Sequence, residues 1–399
     1  MPNNIQIKTI LLITFILITP NTLMAQRTVT LDEVIAMAKA NSPRLKSAAA
    51  AVERSRAARG EVWELGATTF DYSWGQLNSP IRNDRAFGVT QPLGSFITPF
   101  YQNSLAQHQI NTGSHYFNMV EKEIVAEAKR AYAYYQYARH IKQMLSEQSS
   151  LAELLSHTGD LRHQQGDITL LEKTMTAAQA ASMRNKVFQA EEEFKVAAAR
   201  LQWVCFSDAP LVPADTLFVR FNVNAADSRL APEYASYFNS MVSESEAMIK
   251  IERSRFFPEL SAGYQRQNIL PDRGLDSWTI GASVPLIFNA QRSRVLQARI
   301  DAEISRYDAQ DNIRQLNNRI EELKAELRKH DESIRFFENS ALPEANALIQ
   351  AAQLQLQHSE TNIAEFIQSI NAALDIKQAY IEIIFQYNIA ALEYELYNN

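Results

Sequence analysis

Two stretches of the chain alternate between apolar and polar side chains, which is the pattern of a β-strand with two different faces. The first stretch runs from Ala67 to Leu77 and the second from about Arg85 to Gln91. Similar alternations recur in two further stretches, from Leu260 to Gln265 and from Trp278 to Val284. The pattern predicts four strands, and the side chains on their apolar face are Phe70, Tyr72, Trp74, Phe87, Val89, Trp278, Ile280 and Val284.

Strands of about ten residues with one apolar and one polar face, and with aromatic side chains near their ends, are typical of outer-membrane β-barrels. A half-buried sheet of a soluble domain is the alternative. Four strands cannot close a membrane-spanning barrel, because about eight is the smallest number seen. The strands of one chain must therefore be joined by those of other subunits, and a trimer would supply about twelve.

The rest of the chain has helical periodicity over long distances. A capping box at Thr30 and Glu33 begins the first helical region, and Pro43 allows a break near Asn41. A helix from about Phe100 to Gln164 would be on the order of 95 Å long. The remaining long helices are predicted at 167–203, at 291–358 with a bend or break at Pro343, and at 362–397.

These elements occur twice, so the chain is a duplicated half-molecule. Gly88 matches Gly281 and Gly166 matches Ser359, at a constant offset of about 193 residues, far longer than a solenoid repeat. In the first strand, Leu65 is matched with Leu260, which implies a strand loop two residues longer in the first copy.

Composition narrows the setting of this architecture. Lys8, an apolar run from Ile10 to Ile18, and Leu23-Met24-Ala25 predict a secretory signal peptide that is cleaved near Ala25. The run is too short for a spanning helix. Cys205 is the only cysteine, so a disulfide framework is excluded. A net charge of −6 argues against a nucleic-acid partner.

Residues that could carry chemistry are few. The seven histidines stand singly in helical, charged surroundings, and the sequence predicts no cofactor, no catalytic residues and no metal site. Glu172 and Glu365 are equivalent in the repeat, each just after a helix turn, and Asp167 lies beside the first turn. In a threefold assembly each position becomes an acidic ring, which would favour cations and could close a constriction. A solvated helix face is the alternative.

Several motifs together resemble the TolC-like family of outer-membrane efflux channels, over nearly the whole mature chain. The opening Thr30-Leu31-Asp32-Glu33 with Ser42-Pro43 is similar to the family's first helix. The stretch 166–172 is similar to its helix turn at the periplasmic tip, and Phe256-Phe257-Pro258-Glu259-Leu260 to the start of its third strand.

The resemblance implies a mainly α protein with a small β part, built from a duplicated half-molecule of two strands and a long helical hairpin. It implies a homotrimer, with a 12-stranded β-barrel in outer-membrane lipid of a Gram-negative type cell and an α-helical barrel in the periplasm. The implied partners are a periplasmic adaptor and an inner-membrane pump. The adaptor-contacting tip would comprise Gly166, Asp167, Ile168, Ser359, Thr361 and Asn362.

The resemblance also places a gate at the starts of the helices that follow the tip turns, at Glu172, Glu365 and Gln368. The chain departs from the family at one tip position and at one gate position. Ser359 replaces the second tip glycine, and Gln368 stands where a second acidic gate residue is common, so the acidic ring is expected to be weaker.

The predicted function is a passive exit duct for drugs or metal ions. The alternatives are an exit duct for type I protein secretion and a periplasmic coiled-coil scaffold without a pore, and the alternating strands argue against the scaffold. The predicted segments are a signal peptide (1–25), N-terminal helices (26–64), two strands (65–92), a helical hairpin (93–205), an irregular connector (206–232), a helix (233–257), two strands (258–287) and a second helical hairpin (288–399).

Overall fold

A computed structural model describes residues 27–76, 84–215, 218–223, 229–269, 272–284, 287–357 and 362–398. The predicted signal peptide and the predicted tip residues Ser359 and Thr361 lie outside these ranges. The chain is mainly helical with a small sheet part, as predicted. Its elements are β1 (Arg27–Val29), α1 (Leu31–Asn41), α2 (Pro43–Ala58), β2 (Thr69–Gly75), β3 (Asp84–Gly94), α3 (Thr98–Gln164), α4 (Leu170–Cys205), β4 (Leu211–Pro213), α5 (Pro232–Ser254), β5 (Glu259–Ile269), β6 (Asp272–Ser283), α6 (Asn289–Phe336), α7 (Leu342–Gln357) and α8 (Ile363–Tyr397).

The N-terminal helices begin and end where local sequence signals place them. Thr30 accepts a hydrogen bond from the Glu33 N–H at 3.3 Å, and the Thr30 N–H donates to Glu33 Oε2 at 2.8 Å, which confirms the capping box. Helix α1 ends at Asn41, and α2 begins at Pro43 with Ser42 as its N-cap. Proline suits this first helical position because its missing N–H would have no intrahelical partner there.

The short strand β1 was not predicted. It pairs in parallel with β4 of the connector, from Arg27 with Leu211 to Val29 with Pro213. The fully buried Val29 then joins a core cluster that contains residues of α1, α3 and α4. This contact between residues about 184 positions apart fastens the N-terminal segment to the connector, and nothing in three residues of sequence could indicate it.

The first helical hairpin consists of α3 and α4, packed along their length. Helix α3 contains 67 residues, which corresponds to about 100 Å. Small side chains form much of its buried face, including Ala128, Ala131 and Ala133. Because alanine side chains are short, neighbouring helices can approach closely.

The second hairpin is interrupted at the proline that was expected to bend or break it. Between α6 and α7, residues Phe337–Ala341 form a π-helix, and the Leu342 N–H bonds to the Phe337 carbonyl oxygen. Pro343 follows directly. Its ring cannot donate a backbone hydrogen bond and crowds the carbonyl four residues earlier, and one wider turn accommodates both effects.

The four longer strands form one sheet in the order β2-β3-β5-β6, with antiparallel pairing throughout. The register corrects one predicted equivalence. Phe70 pairs with Val89, and Leu260 pairs with Ala282, the repeat equivalent of Val89. Leu260 therefore corresponds to Phe70 and not to Leu65, and the loop-length difference based on Leu65 is wrong. A shift of five residues moves every side chain to the other face, so matching leucines alone could not set the register.

Residues 218–223 of the connector are held by one buried asparagine of α8. Asn388, which is 1 % exposed, accepts a hydrogen bond from the Phe221 N–H at 2.8 Å and donates to the Val219 carbonyl at 2.9 Å. Arg220 forms an ion pair with Asp331 and lies over the Tyr387 ring. The connector thereby packs on α6 and α8.

Within the described ranges, the structure contains no helix that is both long and apolar enough to cross a membrane.

Candidate functional site

The sheet carries a continuous apolar row across all four strands. Phe70 of β2 pairs with Val89 of β3, Val89 pairs with Tyr264 of β5, and Tyr264 pairs with Trp278 of β6. Directly paired residues project from the same face, so these four side chains form one band. The Tyr264 and Trp278 ring centroids are 4.9 Å apart.

Rows on either side extend this face. Toward the helices, Ile280 pairs with Ala262, and in the other direction Tyr72 pairs with Phe87. Trp278 and Ile280 lie on the outer strand β6 and are strongly exposed, at 82 % and 87 %. Of the remaining predicted apolar positions, Val89 is half-buried, and those exposed are Phe70, Tyr72, Trp74, Phe87 and Val284.

The opposite face of the same sheet is small and polar. One row contains Asp71, Gly88, Gln265 and Ser277, and another contains Thr69, Thr90, Gly263 and Thr279. Such a face suits water, whereas the aromatic face suits a nonpolar environment.

The aromatic face changes character toward the hairpin ends. In the row after Trp278 and Tyr264, Asp276 pairs with Arg266. The Tyr264 hydroxyl donates to Asp276 Oδ1 at 2.6 Å, and Arg266 Nε lies 3.8 Å from the same atom. On β5 and β6, apolar side chains therefore give way to an ion pair that is joined to an aromatic hydroxyl, which is the sequence of groups found where a membrane surface meets water. On β2 and β3, Tyr72 and Phe87 continue the aromatic face in the same row.

Both outer strands of this sheet, β2 and β6, have one neighbour each within the described chain. Strand β6 contains twelve residues, and an exposed edge of this length presents a row of backbone donors and acceptors to a further strand. The outer edges of β2 and β6 therefore offer positions at which a further strand could pair.

At the opposite end of the first hairpin, the chain reverses at Gly166. Gly166 has a φ of +84°, its N–H bonds to the His163 carbonyl at 3.0 Å, and the Asp167 N–H bonds to the Arg162 carbonyl at 2.9 Å. These two hydrogen bonds define a Schellman motif, in which glycine is favoured because the left-handed conformation strains other residues. Asp167 is exposed and Ile168 half-buried beside it.

Glu172 has a definite local role after this turn. The Thr169 N–H and hydroxyl each donate to its carboxylate at 2.8 Å, and the Thr169 hydroxyl accepts from the Glu172 N–H. The hydrogen bonds from Thr169 lower the pKa of the Glu172 carboxyl. Glu172 is thus the third helical residue of a capping box that begins α4.

Glu365 occupies the same position in the second copy. Its N–H donates to Asn362 Oδ1 at 2.9 Å, and Asn362 is the N-cap of α8. Both Glu365 and Gln368, nearly one turn later, are exposed.

An amide pair joins the two helices that begin at these positions. Gln179 Nε2 donates to Asn371 Oδ1 at 2.7 Å, and Asn371 Nδ2 donates to Gln179 Oε1 at 3.3 Å. The gate candidates Glu172 and Glu365 therefore lie about two turns from a contact that couples α4 with α8. Sequence reasoning missed this pair, although Gln179 and Asn371 occupy nearly equivalent positions in the repeat.

A groove of about 670 Å³ follows α3, α4 and α8 farther from the tip. Two of the carboxylates that line it accept hydrogen bonds, because the Tyr137 hydroxyl donates to Glu382 and the Tyr134 hydroxyl donates to Glu193. Burial and this hydrogen bond to Glu193 raise the pKa of Tyr134 to about 12, so its hydroxyl remains a donor at neutral pH. Among the described residues, no group of three or more histidine, cysteine or acidic side chains could hold a metal ion.

Comparison with known proteins gives a clear result at the level of structure. No protein-family model matches the chain, and no curated protein sequence matches it. Among solved structures, CusC is 16 % identical with a TM-score of 0.76, and the match covers 94 % of each chain. The Campylobacter jejuni CmeC outer-membrane channel is 12 % identical with a TM-score of 0.79, covering 92 % of this chain and 84 % of that one. The open-state MtrE outer-membrane channel of Neisseria gonorrhoeae is 13 % identical with a TM-score of 0.72, covering 92 % and 88 %.

The chain has the TolC-like fold. The predicted family resemblance is confirmed at the level of fold, over nearly the whole described chain. In this TolC-like protomer the aromatic sheet face and the Gly166 turn lie at opposite ends of the 67-residue helix α3, whose ends adjoin β3 and the turn. They are separated by about 100 Å.

Proposed function

We propose that the protein is an outer-membrane exit duct, a passive channel through which an inner-membrane pump expels drugs or metal ions. The observation that carries this proposal is the aromatic row Phe70–Val89–Tyr264–Trp278 on an exposed face of a sheet with two open edges. An exposed apolar face of this extent is unfavourable in water and favourable in lipid.

Closure of the sheet requires further copies of the chain. Inside a bilayer every backbone donor and acceptor needs a partner, so the free edges of β2 and β6 must pair. Three copies, each with its β6 beside the β2 of the next, would give a closed barrel of about twelve strands. The small, polar face with Asp71, Gln265 and Ser277 would then line the water-filled interior.

The helical hairpins would continue this duct through the periplasm, since α3 alone is about 100 Å long. The tip would contact a periplasmic adaptor that joins the duct to the pump. Its proposed residues are Gly166, Asp167, Ile168, Ser359, Thr361 and Asn362. The tight Gly166 turn supports this role, because it presents Asp167 at the end of a rigid helical pair.

The gate is proposed at the starts of α4 and α8. Glu365 and Glu172 are the two acidic candidates, and the Glu172 carboxylate also caps α4. A ring of three Glu365 side chains would favour cations, and Gln368 would contribute hydrogen bonds without charge.

We propose no catalytic role. The groove carboxylates Glu193 and Glu382 accept hydrogen bonds from tyrosine hydroxyls, an arrangement that satisfies them structurally. A scaffold without a pore would gain nothing from the exposed Trp278 and Ile280.

The test is single-channel conductance of the purified protein in planar bilayers. We expect a stable trimer with a small, cation-preferring conductance. Glu365→Ala and Glu172→Ala should each reduce the cation preference, and Gln368→Ala serves as the uncharged control. A folded helical protein that neither inserts nor conducts would contradict the proposal.

A further inference from the structure

A small apolar cavity lies between the two helical hairpins, close to the tip. Its volume is about 140 Å³, and it is lined by side chains from α3, α4, α7 and α8. The apolar part of the lining includes Leu151, Leu155, Met183, Ile349, Phe366 and Ile370. Cavities of about 150 Å³ with leucine, isoleucine and phenylalanine walls can hold a benzene-sized molecule.

The cavity wall contains three polar residues, and two of them are satisfied. Gln179 is engaged in the reciprocal amide pair with Asn371. Glu147 accepts a hydrogen bond from Gln143 at 3.1 Å. Gln148 is different, because its side-chain Oε1 is buried and has no hydrogen-bond partner in the part of the chain that the structure describes.

A buried acceptor without a partner is costly, since desolvation of the group is not offset by a hydrogen bond. The cavity therefore combines an apolar volume the size of one aromatic ring with one unused acceptor. Phe366 and Met183 add an aromatic ring and a polarizable sulfur, both of which make favourable contacts with an aromatic ligand.

We propose that this cavity is a binding site for a small neutral aromatic molecule with a single hydroxyl donor, such as a phenol. The ring occupies the space between Leu151, Met183 and Phe366, and the hydroxyl donates to Gln148 Oε1. This binding does not depend on whether the protein conducts, so it can be tested separately from the proposed channel function.

The probes are 4-fluorophenol and 4-fluorotoluene, which have similar shapes but differ in the hydroxyl donor. Each is titrated by ¹⁹F nuclear magnetic resonance into the full-length protein in lipid nanodiscs, with empty nanodiscs as the blank. We expect saturable binding of 4-fluorophenol. Gln148→Leu should weaken its affinity roughly three- to tenfold, as loss of one hydrogen bond requires, and should leave 4-fluorotoluene binding unchanged.

Two further variants locate the site. Gln102→Leu is the matched control on the same helix, exposed and outside the cavity lining, and should bind as the parent does. Ala152 lines the cavity and is 7 % exposed, so Ala152→Leu should fill it and remove binding of both probes. Circular dichroism and size-exclusion chromatography check that this variant folds, and if it does not, Gln148→Leu decides alone. Absence of saturable 4-fluorophenol binding, or equal binding by parent and Gln148→Leu, would overturn the proposal.

Discussion

The sheet and the helical body of this protein treat apolar side chains in opposite ways. In the helical body, Ile320, Leu323 and Leu327 are buried against α8. In the sheet, Trp278 and Ile280 are among the most exposed side chains of the described protein. One chain thus has a core that excludes water and a face that has no protein cover, which indicates two different solvents for its two regions.

The difference also explains how each region is completed. The helices satisfy their own backbone groups, so the helical body of one chain can form its main contacts alone. Within the described chain, the sheet leaves one edge of β2 and one edge of β6 without a neighbouring strand. The proposed assembly follows from the sheet more than from the helices.

The largest effect is expected from placing a charge on the aromatic face. Ile280→Arg should destabilise the protein in lipid vesicles by about 2–4 kcal/mol, because a charge near the bilayer midplane loses its hydration. Thr279→Arg, on the opposite face of the same strand, is the matched control and should retain stability while altering conductance. Denaturant unfolding from vesicles measures the stability of both variants. Equal destabilisation by Ile280→Arg and Thr279→Arg would contradict a lipid environment for the aromatic face alone.

The next effect concerns the connector on the helical body. Asn388→Leu should cost about 1–3 kcal/mol, because the Phe221 N–H and the Val219 carbonyl lose their partner. Asn388→Asp keeps the acceptor for the Phe221 N–H but buries a carboxylate beside the Val219 carbonyl oxygen, so it should cost at least as much. Hydrogen exchange of residues 218–223 measures the release of this segment, and unchanged exchange in Asn388→Leu would contradict the role of Asn388.

A smaller effect is expected at the tip. Gly166→Ala should cost about 1–2 kcal/mol, since alanine is strained at a φ of +84°. Gly60 has no heavy atom within 4 Å of an added Cβ and no positive φ, so Gly60→Ala is a control that should change stability little. Thermal unfolding compares the two variants, and an equal loss in both would show that the turn geometry does not matter.

The smallest effect is a dependence of the tip on pH. The pKa of Glu172 is lowered by its hydrogen bonds from Thr169, so its stabilising contribution is present above the ordinary value of 4.5 and is lost as pH falls through the lowered folded pKa. The protection factors of amides at the start of α4, which are corrected for the intrinsic pH dependence of exchange, should therefore fall only in acid. Glu172→Gln should abolish this dependence, and a parent protein whose protection factors change between pH 6 and pH 8 would contradict it.

Local signals in the sequence predicted much of this structure. The capping box at Thr30 and Glu33, the break at Pro43 and the turn at Gly166 depend on neighbouring residues, and the structure confirms each. The alternation of apolar and polar residues also predicted which side chains share the exposed sheet face, because that alternation depends only on the strand period.

Contacts between distant segments were not predictable in the same way. The β1–β4 pair, the Asn388 contacts with the connector, and the Gln179–Asn371 pair join residues more than 160 positions apart. The strand register failed for a related reason, because Leu65 and Leu260 share a residue type but not a pairing position. The identity of the proposed gate residues stays a prediction.

The central claim, that the aromatic face of the sheet lies in lipid, is tested most directly by fluorescence quenching in vesicles with brominated acyl chains. Single-tryptophan variants would retain either Trp278 on the sheet or Trp203 near the end of α4, both of which are exposed in the single chain. We expect strong quenching of the Trp278 fluorescence and no quenching of the Trp203 fluorescence. Quenching that is absent at Trp278, or equal at both positions, would contradict it.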